Sequence, residues 1–369
     1  MEVAAVVLGI LIVLGVLWDT FETIVVPKTV RRRLRLTAFF YQVAWHGWAL
    51  VVKRMRNGPR RVAILGAFGP LSLILLMASW AILMVLGFGF IHFGAGTLDG
   101  TQNQGDLGAA LYFSGTTFFT LGFGDVVAVH GLGRFLAVME AGSGFGFLAV
   151  IISYFPVLYQ AFSRRENLIV LLDSKAGSDP SAGELLRRHA EAGTLDELIE
   201  LLHDWEIWSA QQLETFLSYP IMAYYRSQHD DQSWLCALTA ILDTCSIIEG
   251  GFTGDYPWER RLVFQAQATF AMARHVVVDL AYLLNLPPTP HPKMRFSPSD
   301  WAQLMQVLAK VGIPLDPAGE TKIADRRDLY EPYVVSLART LFFVLPSWIP
   351  EPGAVDNWQT TAWDIREHF

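Results

Sequence analysis

Residues 62–93 contain no Asp, Glu, Lys or Arg, a mostly apolar run of 32 residues that includes Gly69-Pro70. Few folds can use such a run. The hydrocarbon core of a bilayer is about 30 Å thick and takes roughly 20 helical residues to cross. A proline is tolerated in the first turn of a helix, where its missing N–H breaks no helical bond. Pro70 therefore predicts a spanning helix over 70–92.

Three other stretches are mostly apolar: 3–26, the shorter and aromatic-rich 36–52, and 132–162, which has Arg134 near its start and Arg164-Arg165 after its end. Nearly all the long apolar runs thus lie in residues 1–162, whereas 163–369 has a mixed composition and most of the acids. A membrane half is followed by a soluble domain of about 200 residues. The chain begins Met-Glu with no basic segment before the apolar run and no small-residue cleavage site after it, so a retained helix over 1–27 is expected rather than a signal peptide.

Charge orders these segments. Ten of the 28 Lys and Arg lie between Lys28 and Arg61, on both flanks of 36–52. Basic flanks stay on the cytoplasmic side, so 36–52 is expected to lie along the inner surface, with Phe39, Phe40, Tyr41, Trp45 and Trp48 in the headgroup layer. A fourth span is the alternative. The basic and aromatic segment 28–69 would meet anionic lipid headgroups, chiefly through 28–61, and nothing calls for nucleic acid. Residues 94–131 carry no Lys or Arg but include Asp99, Asp106 and Asp125, the character of an outward-facing cation entrance. The expected topology is a multi-pass protein of the plasma membrane, N-terminus outside and soluble domain cytoplasmic. Asp19 and Glu22, one helical turn apart, are expected to pair with Arg31–Arg33.

Between the two long segments, residues 120–125 read Thr-Leu-Gly-Phe-Gly-Asp. A strand whose successive carbonyls point one way needs residues in conformations closed to side chains with a Cβ, which Gly122 and Gly124 supply. Residues 109–119 read as a short re-entrant helix ending at that strand. This pattern resembles the pore signature of potassium channels, Thr-Val-Gly-Tyr-Gly-Asp, over roughly residues 70–162. The resemblance implies a pore domain over 70–165 and a homotetramer around one axis, with carbonyls of Thr120, Leu121, Gly122 and Phe123 replacing the water shell of potassium ions. Gly124 would complete the turn and Asp125 would gather cations at the outer mouth. No metal beyond the permeant ion, and no cofactor, is expected.

The sequence departs from the signature. Leu121 replaces valine and is expected to pack behind the filter, Phe123 replaces tyrosine and removes a phenol brace, and Phe119 stands where threonine is usual. Weak selectivity, or sodium permeation, stays open for that reason. In the inner helix, Gly142, Gly144 and Gly146 offer either a hinge, as the resemblance implies, or close packing. Pro156 should bend the helix, leaving Tyr154, Phe155, Tyr159 or Phe162 as an apolar gate. Glu140, within this helix, suits a carboxylate hydrogen-bonded behind the pore helix or a functional group of its own.

From Asn167 onward the periodicity is helical, over 183–192, 194–225, 232–249, 257–286, 298–311 and 331–345, with Thr194 to Glu197 as a capping box. No βαβ alternation or phosphate-binding glycine motif accompanies it. The fold class is an all-α membrane protein: a tetrameric potassium-channel-like pore plus an all-α cytoplasmic domain over 166–369. His203-Asp204 and His229-Asp230, with Asp279, superficially match a metal phosphohydrolase pattern, but dipeptides are poor signals and no enzyme is expected. Cys236 and Cys245 fit buried thiols in a reducing compartment. No regularly spaced arginines mark a voltage sensor. A cation channel modulated through its helical domain, with an unknown cytoplasmic ligand, is the reading these features favour. A non-conducting receptor or scaffold is the alternative from another class.

Overall fold

The structure, a computed structural model, describes residues 2–24, 36–56, 58–99, 106–227, 232–252, 257–290, 295–349, 356 and 359. Two compact units emerge: Met1–Arg56 with Ala67–Tyr159, and Asn57–Gly66 with Gln160–Phe369.

The first unit begins with α1 (Glu2–Ile24) and α2 (Leu36–Lys53), followed by most of α3 (Pro59–Ala95). Val13 and Val16 of α1 are buried against Trp80, Met84, Phe88 and Ile91 of α3. The crossing is close, because a Cβ added to Gly9 would overlap the carbonyl oxygen of Gly87. Small residues bring membrane helices together in this way. Asp19 takes its partners here: Thr37 Oγ1 donates to it at 2.7 Å and Trp80 Nε1 at 3.0 Å. Arg31–Arg33, the partners expected from sequence, lie outside the described residues. On α2, Trp45 and Trp48 set their rings 4.7 and 5.7 Å from Phe68, while Phe39 is exposed.

Helix α3 corrects the expected start at Pro70, because it begins at Pro59 and carries the proline inside. Pro70 removes only its own bond to the carbonyl four residues earlier, and that residue is Gly66, without a side chain to crowd the ring. The Ser72 hydroxyl also caps the neighbouring Gly69 carbonyl at 3.0 Å.

After α3, β1 (Leu98–Asp99) pairs antiparallel with β2 (Val127–Ala128). Between them lies α4 (Leu107–Phe118), started by Asp106, whose side chain accepts the Gly108 N–H at 3.0 Å. Helix α5 (His130–Ala176) then continues through Pro156 and past Phe162, where the inner helix was expected to end. No breaker follows Phe162, and Arg165, Ile169, Leu172 and Ala176 form one buried stripe until Gly177 turns the chain at φ 91°.

The second unit comprises the start of α3, the last part of α5, and α6 (Ala182–Ala192), α7 (Leu198–Ser218), α8 (Trp234–Gly251), α9 (Pro257–Leu283), α10 (Pro298–Lys310), α11 (Gly319–Asp328) and α12 (Glu331–Leu341). Helix α7 packs along α9, and α8 against α9 and α11, around Trp205, Trp208 and Trp234. Among the described residues, α1, α3, α5 and α8 are long and apolar enough to cross a membrane, and α2 is not. Helix α8 has this composition because nearly all of its residues are buried in the unit's core.

The capping box expected at Thr194 does not form. The Gly193 and Thr194 N–H groups close the end of α6 on Ala190 and His189, and the Glu197 N–H bonds the Thr194 carbonyl in a 3₁₀ turn over Leu195–Glu197. Both N–H groups that a capping box would use are already taken. A complete box forms instead at Ser297 and Asp300, ahead of α10.

Candidate functional site: helix α4 and the segment after it

Helix α4 ends where its carbonyls are claimed by the residues that follow. The Thr120 N–H bonds the Thr117 carbonyl at 3.0 Å, and the Leu121 and Gly122 N–H groups share the Thr116 carbonyl at 2.7 and 3.3 Å. The chain then leaves with every second residue left-handed: Thr120 at φ 58°, Gly122 at 56° and Gly124 at 80°. Glycine takes this conformation freely; a residue with a Cβ pays about 1–2 kcal/mol, so Thr120 is held there by its surroundings.

Phe119, Leu121 and Phe123 are all more than half exposed on the single chain, so Leu121 does not pack behind the strand within it. Phe123 has no hydroxyl with which to brace the strand.

Behind α4, Glu140 is wholly buried and accepts a hydrogen bond from Ser114. His92 of α3, unforeseen from sequence, brings its Nε2 to 3.4 Å from the other carboxylate oxygen. The three glycines of α5 differ sharply. A Cβ on Gly144 would overlap the Phe118 carbonyl oxygen, whereas Gly142 and Gly146 face open space. Of the gate candidates, Phe155 and Tyr159 share an exposed face, Tyr154 is buried, and Phe162 packs in the second unit 5.9 Å from the Tyr225 ring.

Residues 73–160 match the model of the ion channel family. This segment is an ion-channel domain. It takes in most of α3, all of α4 with the 120–125 segment, and α5 as far as Gln160, so the chain is an all-α membrane protein. No curated protein and no solved structure matches the chain.

Elsewhere, the ion-channel domain's companion unit offers less chemistry. His203 Nδ1 stands 3.6 Å from Glu206, and His275 Nε2 stands 3.1 Å from Asp279, as helical neighbours. His229 and Asp230 lie outside the described residues. Among the described residues no group of three His, Cys, Asp or Glu side chains is placed to hold a metal. Cys236 and Cys245 are buried and unbonded to each other, and burial pushes both thiols up.

Proposed function

We propose that the chain forms a homotetrameric, potassium-selective cation channel in the plasma membrane, with its N-terminus outside and its helical unit in the cytoplasm. The observation that carries this is the alternation of left-handed residues at 120, 122 and 124 directly after a re-entrant helix. Alternation turns successive carbonyls to one side, and four such strands around an axis give rings of oxygen that replace a cation's hydration shell. The exposed faces of Leu121 and Phe123 suit burial against neighbouring copies. Lys and Arg within 28–61 would rest on anionic headgroups. Phe155 and Tyr159, exposed together on α5, are the side chains best placed to close the inner mouth by excluding water.

The helical unit modulates this pore through the base of α5. Arg165 is fully buried and donates to the Met222 and Tyr225 carbonyls, both at 2.9 Å, while its own carbonyl accepts from Trp208 Nε1 at 3.1 Å. Any ligand-driven shift of these segments is transmitted to the inner helix. A second reading, weak discrimination between potassium and sodium, is favoured by the missing Phe123 hydroxyl.

Liposomes holding purified protein, with potassium inside and sodium outside, test the proposal. Barium-sensitive potassium efflux supports it, and equal sodium flux replaces it with the second reading. Current that survives Gly122→Ala removes the filter assignment.

A further inference from the structure

Behind the strand, polar side chains from three helices meet out of reach of water. His92 on α3, Ser114 on α4 and Glu140 on α5 are each at most 1% exposed, and Thr97 follows α3 at 2%. Ser114 Oγ bonds Glu140 and also reaches the Val85 carbonyl oxygen at 2.8 Å. Glu140 in turn faces His92 Nε2 at 3.4 Å, and His92 Nδ1 lies 2.6 Å from Thr97 Oγ1. The chain of contacts starts and ends on α3 or the residues just after it, and α4 is caught in the middle. The His92 ring also stands edge-on to Phe113, 5.0 Å away, so two adjacent residues of α4 are pinned.

Such a cluster is expensive, because buried polar and ionisable groups lose water that their partners only partly replace. Apolar residues of similar size would often be as stable or more so. What the cluster does provide is position. Two residues beyond Ser114, the Thr116 carbonyl holds the N–H groups of Leu121 and Gly122. A shift of α4 at Ser114 therefore moves the anchor of the strand itself. The strand has no phenol of its own at Phe123, so this anchor has little redundancy.

We propose that His92 and Glu140 are positioning residues for ion discrimination, acting on the 120–124 strand through Ser114 and the end of α4. The inference rests on the reading of that strand as a selective filter. Its consequence is that selectivity, rather than stability, is the property most sensitive to the pair.

The test compares three full-length variants in planar bilayers and nanodiscs. Glu140→Gln keeps an acceptor for Ser114 and a donor toward His92. The double variant His92→Leu/Glu140→Leu removes the polar chain without leaving an unpaired group. Ser114→Ala cuts the link to α4. The expected result is a potassium-to-sodium permeability ratio near wild type in E140Q, and one lower by about tenfold in the double variant and in S114A, a loss comparable to the net worth of one hydrogen bond. Thermal stability of the double variant stays close to wild type. A double variant with the wild-type ratio overturns the proposal, as does one whose ratio falls only in step with lost stability. Thermal stabilisation by potassium over sodium reads filter occupancy even in a closed channel, and is expected in wild type and lost in the double variant. If wild type shows neither current nor this stabilisation, the channel reading fails and the inference with it.

Discussion

The carbonyl oxygen of Phe118, the last residue of α4, lies directly against Gly144 of α5, with no room for a Cβ between them. Together they set how closely the two helices approach just where the 120–125 segment begins.

Gly144→Ala forces these helices apart. Overpacking of this kind typically costs about 1–3 kcal/mol, and here the displaced group is backbone. Tetramer yield and thermal stability are expected to fall and current to vanish. Gly142→Ala and Gly146→Ala meet open space and should gain roughly 1 kcal/mol of helix propensity each. If either abolishes opening while the protein remains a stable tetramer, that glycine is a hinge. Single-channel recording of the three variants decides between hinge and packing position by position.

Gly124→Ala places a Cβ on a residue at φ 80°. The strain is about 1–2 kcal/mol in each copy, enough across four copies to distort the strand. Conductance is expected to be lost while the folded second unit keeps its thermal transition. A conducting Gly124→Ala channel with unchanged selectivity contradicts the assignment of the strand as the ion path.

Much of this site was legible in the sequence because its constraints are local. Glycines at 122 and 124, an aromatic helix just before them, and the absence of positive charge from 94 to 131 each report on their own neighbourhood. What escaped is long-range. Glu140 was visible as a buried carboxylate, but His92 looked like one polar residue in an apolar run, and only the fold sets it opposite. Pro70 was assigned to a first turn because a proline inside a helix usually breaks it; Gly66 and Ser72 make it tolerable. Helix α11 went unseen, since of its ten residues only Gly319, Ile323 and Arg327 are buried, too few to set a period.

Asp243 anchors the second unit through charge. Arg295 donates to both its oxygens, at 2.8 and 3.1 Å, and reaches Glu331 at 3.0 Å, while Arg327 bonds Glu331 from the other side at 2.8 Å and the Tyr330 hydroxyl also bonds Asp243. Removing one partner leaves a buried charge uncompensated, at a cost of about 3–5 kcal/mol. Asp243→Ala is therefore expected to lower the second unit's stability by that amount. Tyr330→Phe, which removes a single hydrogen bond, should cost about 1 kcal/mol. Urea unfolding followed by tryptophan fluorescence measures both, and similar losses in the two would contradict the network's charge bookkeeping.

Arg165 is predicted to matter twice. Arg165→Met keeps much of the side-chain bulk but strands the Tyr225 carbonyl, at about 1–3 kcal/mol, while the Met222 carbonyl keeps the Tyr225 N–H. The second unit should lose stability accordingly. Because the same bonds tie the base of α5 to the 219–226 segment, the variant's open probability should also shift, with conductance and selectivity unchanged once open. A stability loss with unaltered gating would confine Arg165 to a structural part.

The acid limb of stability should trace in part to Glu184. Burial opposes its charge, but hydrogen bonds from Arg187 and Arg188 prevail and hold the carboxyl below its ordinary value. Arg188 extends the link to Asp356 at 2.8 Å. A carboxyl with a depressed folded pKa stabilises the fold fully above its unfolded pKa, about 4.3, and progressively less as pH falls through the folded value. Thermal melting of the full-length protein should therefore weaken from about pH 4.5 downward. Glu184→Gln has no charge to lose, so its midpoint is expected to lie below wild type at pH 7 and to converge on it as pH falls. Parallel curves for the two proteins across pH 3–7 would remove Glu184 from the acid response.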